Sequence, residues 1–458
     1  MNGGGNMHEF YNYYYFFIII AIIIWCIINW NITPKKKRQN KCTDIVCLNS
    51  EKASGILFGK KGKKIICSPS EREGHIWVSG GSGSGKTSSI LIPTLNVFDG
   101  TIFTIDISGD ISSNVNRPDK LIYEPENSQT IPYNIFHVID LANNESEQDE
   151  LLEQLALLLM PETPNMSDTS LYFTTEGRKI LTASLIAFYH QHLDFVNICE
   201  VIYEHSWNEL FNKIDSTQNY KAISYINSFL GANEQNTSGC KQQTDSAIKL
   251  FASNDKVKNS IHRPQKDELF FAPNQLENYS VFINIPDSKL ELYSDLLHII
   301  TAQTLEYFSN RSNNSNHTIL FALDEFSSLG KLEIIHALRT LRKKHIRIMI
   351  LTQSFSDIDL VYGKAERTAM MCNLKFKVIL DASDTDTQEY YSKLIGQEIV
   401  LRHSTSHGSG KTTKTNSESK DWIIDPVKFS QLGESLILIH PTGYMILKKN
   451  YWFEKGKD

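Results

Sequence analysis

Seven short apolar runs, each closed by turn or polar residues, punctuate this chain: "HIWVSG" (75–80), "TIFTID" (101–106), "VFINI" (281–285), "TILFALD" (318–324), "RIMILTQ" (347–353), "FKVILDA" (376–382) and "SLILIH" (435–440). Continuous β-branched and aromatic runs of this length suit strands buried on both faces of a parallel sheet. Between several of them the period lengthens to that of a helix, as in "GKTSSILIPTLNVF" and "FSSLGKLEIIHALRTLRKK". The alternation predicts an α/β domain over 55–147 and 265–458. From 148 to 264 the pattern differs. "ELLEQLALLLM" puts Leu151, Leu152, Leu155, Leu158 and Leu159 on one face, and "RKILTASLIAFYHQHL" does the same with Ile180, Leu181, Leu185, Phe188 and Tyr189. No Gly or Pro intervenes between Gly177 and Gly231. These features predict an all-helical insertion that interrupts one α/β domain, since strand patterning resumes at Ser280. The polar, Ser/Thr/Gly-rich stretch 403–421 reads as a flexible loop, and no internal repeat is present.

Tyr13 to Trp30 is an uncharged run of eighteen residues with Tyr and Trp at its ends, about 27 Å long as a helix at about 1.5 Å per residue. "PKKKRQNK" follows from Pro34. The pattern predicts a membrane helix over 13–32, a short outer head over 1–12, a basic juxtamembrane linker over 33–54, and the rest of the chain on the cytoplasmic side of the cell's inner membrane. No basic leader precedes the run and no small-residue cleavage site is found, which argues against a removed signal. Charge is distributed accordingly: the net value is −6, yet Lys35 to Lys64 holds ten Lys and Arg against Asp44 and Glu51. Seven scattered cysteines without a Cys-x-x-Cys pair read as reduced thiols. The fourteen histidines form no His-Glu-x-x-His motif, so no metal site built from protein side chains alone is expected.

Gly80-Gly81-Ser82-Gly83-Ser84-Gly85-Lys86-Thr87, followed by Ser88, fits the spacing of a phosphate-binding loop, with an apolar strand before it and an amphipathic helix after it. Glycines let successive backbone N–H groups face phosphate oxygens, and the helix N-terminus adds its dipole. Lys86 would reach the β and γ phosphates of ATP, and Thr87 would ligate Mg²⁺. A second copy of the letters GSGKT, at 408–412, lacks all of this. Thr405 stands where the first glycine is needed, no apolar strand leads in, and "TTKTNSESK" cannot make an apolar-faced helix.

Hydrolysis needs a carboxylate for the metal and a group that activates water. Asp324 and Glu325, adjacent at the end of "TILFALD", fit these as Mg²⁺ holder and general base. Gln353 closes the next strand, where an amide could sense the γ-phosphate. Arg339 and Arg342, in "LRTLRKKHIR", suit either an arginine finger or a solvated basic helix face.

The chain resembles the TraG/TraD-type coupling proteins of type IV secretion, within the RecA-like and FtsK-like ATPases. The resemblance spans Gly55 to Phe453 and rests on the phosphate loop with "IPTL", "DISGD" (106–110), "TEGRKILTASLIAF", "LDEFSSLG", "ILTQSFSDI", "TDTQEYYSKLIGQ" and the ending "DPVKFSQLGESLILIHPTGYMILKKNYWF". It implies a RecA-like nucleotide-binding domain with an all-α insertion, assembled as a homo-hexamer on the membrane. It also implies ATP hydrolysis that delivers a relaxase bound to single-stranded DNA, or effector proteins, to a type IV secretion channel. By motif it assigns the finger to Arg342. Three features depart from the family's pattern: one membrane helix instead of two, Asp106-Ile107-Ser108-Gly109-Asp110 without the usual lysine, and Leu341 and His345 beside the arginine.

Overall fold

The computed structural model describes residues 43–162, 166–313, 315–408 and 411–454. The membrane helix expected over 13–32, its outer head and residues 33–42 of the basic linker lie outside the described residues. Among the described residues no helix is long and apolar enough to cross a membrane.

Twelve strands form one sheet: β1 (Val46–Asn49), β2 (Ile56–Lys61), β3 (Lys64–Ser68), β4 (His75–Ser79), β5 (Thr101–Asp106), β6 (Lys120–Tyr123), β7 (Ser280–Asn284), β8 (Ile319–Leu323), β9 (Ile346–Thr352), β10 (Leu374–Ile379), β13 (Ser435–His440) and β14 (Gly443–Lys448), with β11 (Gln397–Gly408) and β12 (Lys411–Trp422) apart from it. The order is β1-β3-β2-β14-β13-β10-β4-β9-β8-β5-β7-β6. From β10 to β6 every pairing is parallel. β4, β5, β8 and β9 are buried along their whole length, because alternate side chains enter different cores. Trp77 and Phe103 pack on one face of the sheet, Ile76, Val78 and Ile102 on the other.

"SLILIH" departs from the parallel expectation. As β13 it runs antiparallel to β10, because the intervening chain returns to the end of the sheet where β10 finishes, with Ala382 N–H donating to Phe429 O at 3.1 Å. The stretch 403–421 is also corrected. It belongs to the antiparallel hairpin β11–β12, whose register pairs Gln397 with Trp422 and continues to Gly408 with Lys411. A polar ribbon whose ladder is internal needs no core to order its backbone, so hydropathy gives no sign of it. Strands β1, β2, β3, β6 and β14 were not foreseen either; β1 and β6 are short, and β1 and β14 alternate or mix exposed positions.

Between β6 and β7 the chain is mainly helical, with its longest helices at Asp168–Tyr189 and Glu234–Ser253. These two pack closely at Gly177, where a Cβ would come within 2.7 Å of the Cys240 carbonyl, and Thr244 Oγ1 donates to Gly177 O at 2.8 Å. Helix starts in this region carry side-chain caps, among them Ser167, Asp194 and Ser206, the last in a reciprocal capping box with Glu209.

Candidate functional site: a phosphate loop facing two carboxylates

The sheet order sets β9 between β4, which leads into the glycine-rich loop, and β8, which ends at Asp324. Since all three run parallel, their C-terminal ends open on one crevice, the usual ligand position in such sheets. The loop is tied to both neighbours: Gly80 N–H donates to Thr352 O at 3.2 Å, and Leu380 N–H donates to Ser79 O at 2.9 Å. Beneath it, Tyr391 joins Trp77 Nε1 (2.8 Å) and Ser79 Oγ (2.7 Å), so the strand entering the loop is held by a fully buried hydroxyl.

Within the loop, Ser84 N–H donates to Gly81 O at 3.1 Å, and Ser82 and Gly83 form its exposed crest. Gly85 adopts φ 95°, a left-handed conformation that favours glycine, and a Cβ there would meet Tyr451 at 3.3 Å. The helical segment Lys86–Leu91 begins directly after it, so Thr87 and the half-buried Ser88 occupy its first turn. Lys86 is only 6 % exposed; its ammonium donates to Gly80 O at 2.8 Å and stands 3.8 Å from Glu325 Oε1.

Thr87 Oγ1 donates to Asp324 Oδ2 at 3.1 Å, bridging the loop to the end of β8. Burial raises the Asp324 carboxyl from its ordinary value to about 6, and the neighbouring Glu325 charge adds to the rise; the Glu325 N–H, Lys86 and Thr87 oppose it. Glu325 itself has φ 43°, an unusual conformation for a residue with a side chain, of the kind that collects at functional sites. Gln353 Nε2 donates to Glu325 Oε2 at 3.3 Å. The crevice thus brings together Lys86, Thr87, Asp324, Glu325 and Gln353.

Arg339 and Arg342 lie elsewhere. Both are exposed and precede β9, at the end of the strand remote from Gln353. Seven extended residues separate the two ends, roughly 20 Å at about 3.3 Å per residue. Arg342 pairs with Glu73 at 3.6 Å. Asp106, at the end of β5, is used locally, accepting from the N–H groups of Gly109 (2.9 Å) and Ser112 (2.6 Å).

Two supports of the site have no signal in the sequence. Phe326, next to Glu325, stacks on Tyr362 at 5.3 Å and 9°, and the Tyr362 hydroxyl accepts from Leu332 N–H at 3.0 Å while donating to Gly330 O at 3.2 Å. This clasp fixes the backbone that follows the left-handed Glu325. The second is Lys449, buried after β14, whose ammonium donates to Ser84 O at 2.7 Å across 365 residues of sequence. Nothing local marks either contact, since both depend on topology.

A family profile described as type IV secretory system conjugative DNA transfer matches residues 27–457. The VirD4 protein of Agrobacterium fabrum is 22% identical over 419 residues, covering 86% of this chain and 61% of that protein. The coupling protein VirD4 of Bartonella henselae is 23% identical over 364 residues, covering 75% of this chain and 56% of its own length. The conjugal transfer protein TraG of Agrobacterium fabrum is 24% identical over 419 residues, with shares of 87% and 61%. This chain therefore spans less than two thirds of these relatives. Among solved structures, the bacterial conjugative coupling protein TrwB in its unbound form superposes with a TM-score of 0.66 at 18% identity, covering 82% of this chain and 84% of that one. TrwB in complex with ADP and Mg²⁺ gives 0.65 at 19% identity, with shares of 82% and 85%. The mixed α/β fold with its large parallel sheet is shared with TrwB. On the extent of the profile match, this chain belongs to the family of type IV secretory system conjugative DNA transfer proteins.

Proposed function

We propose that this protein is an ATP-hydrolysing coupling protein that recruits a relaxase–single-stranded DNA complex or effector proteins and passes them to a type IV secretion channel. In this reading it is anchored by a single membrane helix over 13–32, with its N-terminus outside and its bulk cytoplasmic, and works as a homo-hexamer. The observation that carries the proposal is the Thr87–Asp324 hydrogen bond across β9, with Glu325 touched by both Lys86 and Gln353.

The loop amides of 80–88 would hold the phosphates, while Lys86 would exchange its bond to Gly80 O for β and γ oxygens. Thr87 and Asp324 would hold magnesium. The donor set fits a cation, since Asp324 is buried beside a second carboxylate with Lys86 turned toward Gly80. Magnesium there would supply positive charge against the phosphates. Glu325 would take the proton of the attacking water, and Gln353, already on its carboxylate, would orient that pair and register the γ-phosphate. Arg342, remote from its own loop, would act on a neighbouring subunit's site. Mixing Arg342→Ala with Glu325→Gln protein tests this: shared assemblies should regain hydrolysis that neither variant shows alone, and inert mixtures would place Arg342 outside catalysis.

A DNA pump of the FtsK kind and a nucleotide-binding receptor without motor action are the alternatives; the family profile favours the first reading over the pump, and the carboxylate pair favours it over the receptor. A substrate-transfer assay with Glu325→Gln, beside phosphate release measured with and without single-stranded DNA, separates them. The expected outcome is loss of transfer, with wild-type hydrolysis rising on DNA and falling as salt increases. Normal transfer by Glu325→Gln would establish the passive receptor, and indifference of hydrolysis to DNA would point to protein cargo.

A further inference from the structure

The carboxylates occupy only one side of the phosphate loop. β8 and Asp324 lie beyond β9, whereas on the other side of β4 come β10, β13 and β14. A triphosphate with its γ end toward Glu325 therefore points its nucleoside away from β8, toward the chain that leaves β14. That chain is an aromatic segment held against the loop. Lys449 donates to Ser84 O at 2.7 Å. Tyr451 lies against Gly85, 3.3 Å from where a Cβ would stand, and stacks on Phe453 with centroids 5.2 Å apart and planes 20° from parallel. Phe453 is 54% exposed, so this stack has an open face beside the loop. The segment is anchored at its far end by Glu454, which accepts from Lys60 Nζ at 3.1 Å, and at its near end by Lys449 N–H donating to Glu434 O at 2.9 Å.

We propose that Tyr451 and Phe453 form the shelf on which the nucleobase of the bound nucleotide stacks, and that Lys449 positions the loop beneath it by holding the Ser84 carbonyl. This rests on the nucleotide-binding reading and adds the base subsite to it. The outer face of a stacked aromatic pair is flat and apolar, and base–aromatic stacking tolerates any base because each has a π face. The shelf therefore takes nucleotides through stacking area and not through base-edge hydrogen bonds.

The test compares a ligand with a base to one without. Dissociation constants of ATP and of inorganic tripolyphosphate, each with magnesium, are measured on the full chain for wild type, Tyr451→Ala, Tyr451→Phe and Phe453→Ala. Tyr451→Ala should weaken ATP about tenfold or more, the order of one aromatic–base stack, and leave tripolyphosphate unchanged. Phe453→Ala, at an exposed position that leaves the fold intact, should weaken ATP by a smaller factor, and Tyr451→Phe should match wild type. Equal ATP affinity in both alanine variants would overturn the shelf, as would a parallel loss of tripolyphosphate, which would reduce Tyr451 to a prop for the loop. A wild-type chain that binds neither ligand would instead overturn the nucleotide reading itself.

Discussion

The letters GSGKT occur twice in this chain, and the two copies differ in everything except their side chains. At 83–87 they follow a strand buried on both faces, turn through Gly85 at φ 95°, and open a helical segment. Of the copy at 408–412, Gly408, Lys411 and Thr412 belong to the β11–β12 ladder, where Gly408 pairs with Lys411. The first copy is made into a site by what surrounds it: Thr352 and Ser79 hold its entry, Lys449 holds Ser84, and Asp324 receives Thr87. Among the described residues of the second, Gly408, Lys411 and Thr412 pair across the β11–β12 ladder. A phosphate loop is thus a property of the sheet that presents it, and the five residues supply only the permissive backbone and two side chains.

Substitutions at matched positions should separate the copies most sharply. Lys86→Ala is expected to lower ATP hydrolysis by about a hundredfold or more, the scale of removing a group aimed at developing charge, whereas Lys411→Ala should leave the rate at wild type. Steady-state phosphate release on both variants checks this, and equal effects would erase the distinction.

A smaller effect, with a sign set by pH, is expected at Asp324. Its carboxyl is raised from 3.8 to about 6 in the folded protein, so without a bound cation the fold is favoured below the unfolded value and loses stability as pH rises through about 6. The shift of about two units corresponds to roughly 3 kcal/mol when fully developed. Asp324→Asn removes that penalty. Its melting temperature without nucleotide should exceed wild type at pH 8 and converge with it near pH 4, even though hydrolysis falls at every pH. Thermal unfolding across this range is the measurement; a variant less stable than wild type at pH 8 would contradict a net cost of burying the charged carboxylate.

Gly85→Ala should come next. The left-handed backbone costs a residue with a Cβ roughly 1–2 kcal/mol, and the added methyl meets Tyr451 at 3.3 Å. Nucleotide affinity is expected to fall roughly tenfold, as that cost converts, which titration with ADP would read. The least effect should follow removal of residues 401–418 from the hairpin. Its ladder is internal, so phosphate release and the melting temperature should stay close to wild type.

The contrast also explains what could be read from residues alone. Runs such as "HIWVS", "ILFAL" and "IRIMILT" are mostly apolar because both of their faces are buried, and their C-terminal ends lead to Gly80, Asp324 and Gln353, so strands and site emerge together from one pattern. β11 and β12 carry no such pattern because their hydrogen bonds, not their side chains, order them. Lys449 and Tyr362 escape for a different reason: each reaches the site only after the chain has folded, one from 365 residues away and the other from 30. Arg342 was legible as a cationic residue before β9 but not as one remote from its own loop, since that depends on strand direction.

The most direct test of the central claim is to measure ATP retention and ATP turnover on the same purified Glu325→Gln chain in the presence of magnesium. Expected is wild-type retention of ATP with phosphate release reduced by about a hundredfold or more, because the loop still grips the nucleotide while the water has lost its base. Turnover at the wild-type rate, or a wild-type chain that holds no ATP, would contradict it.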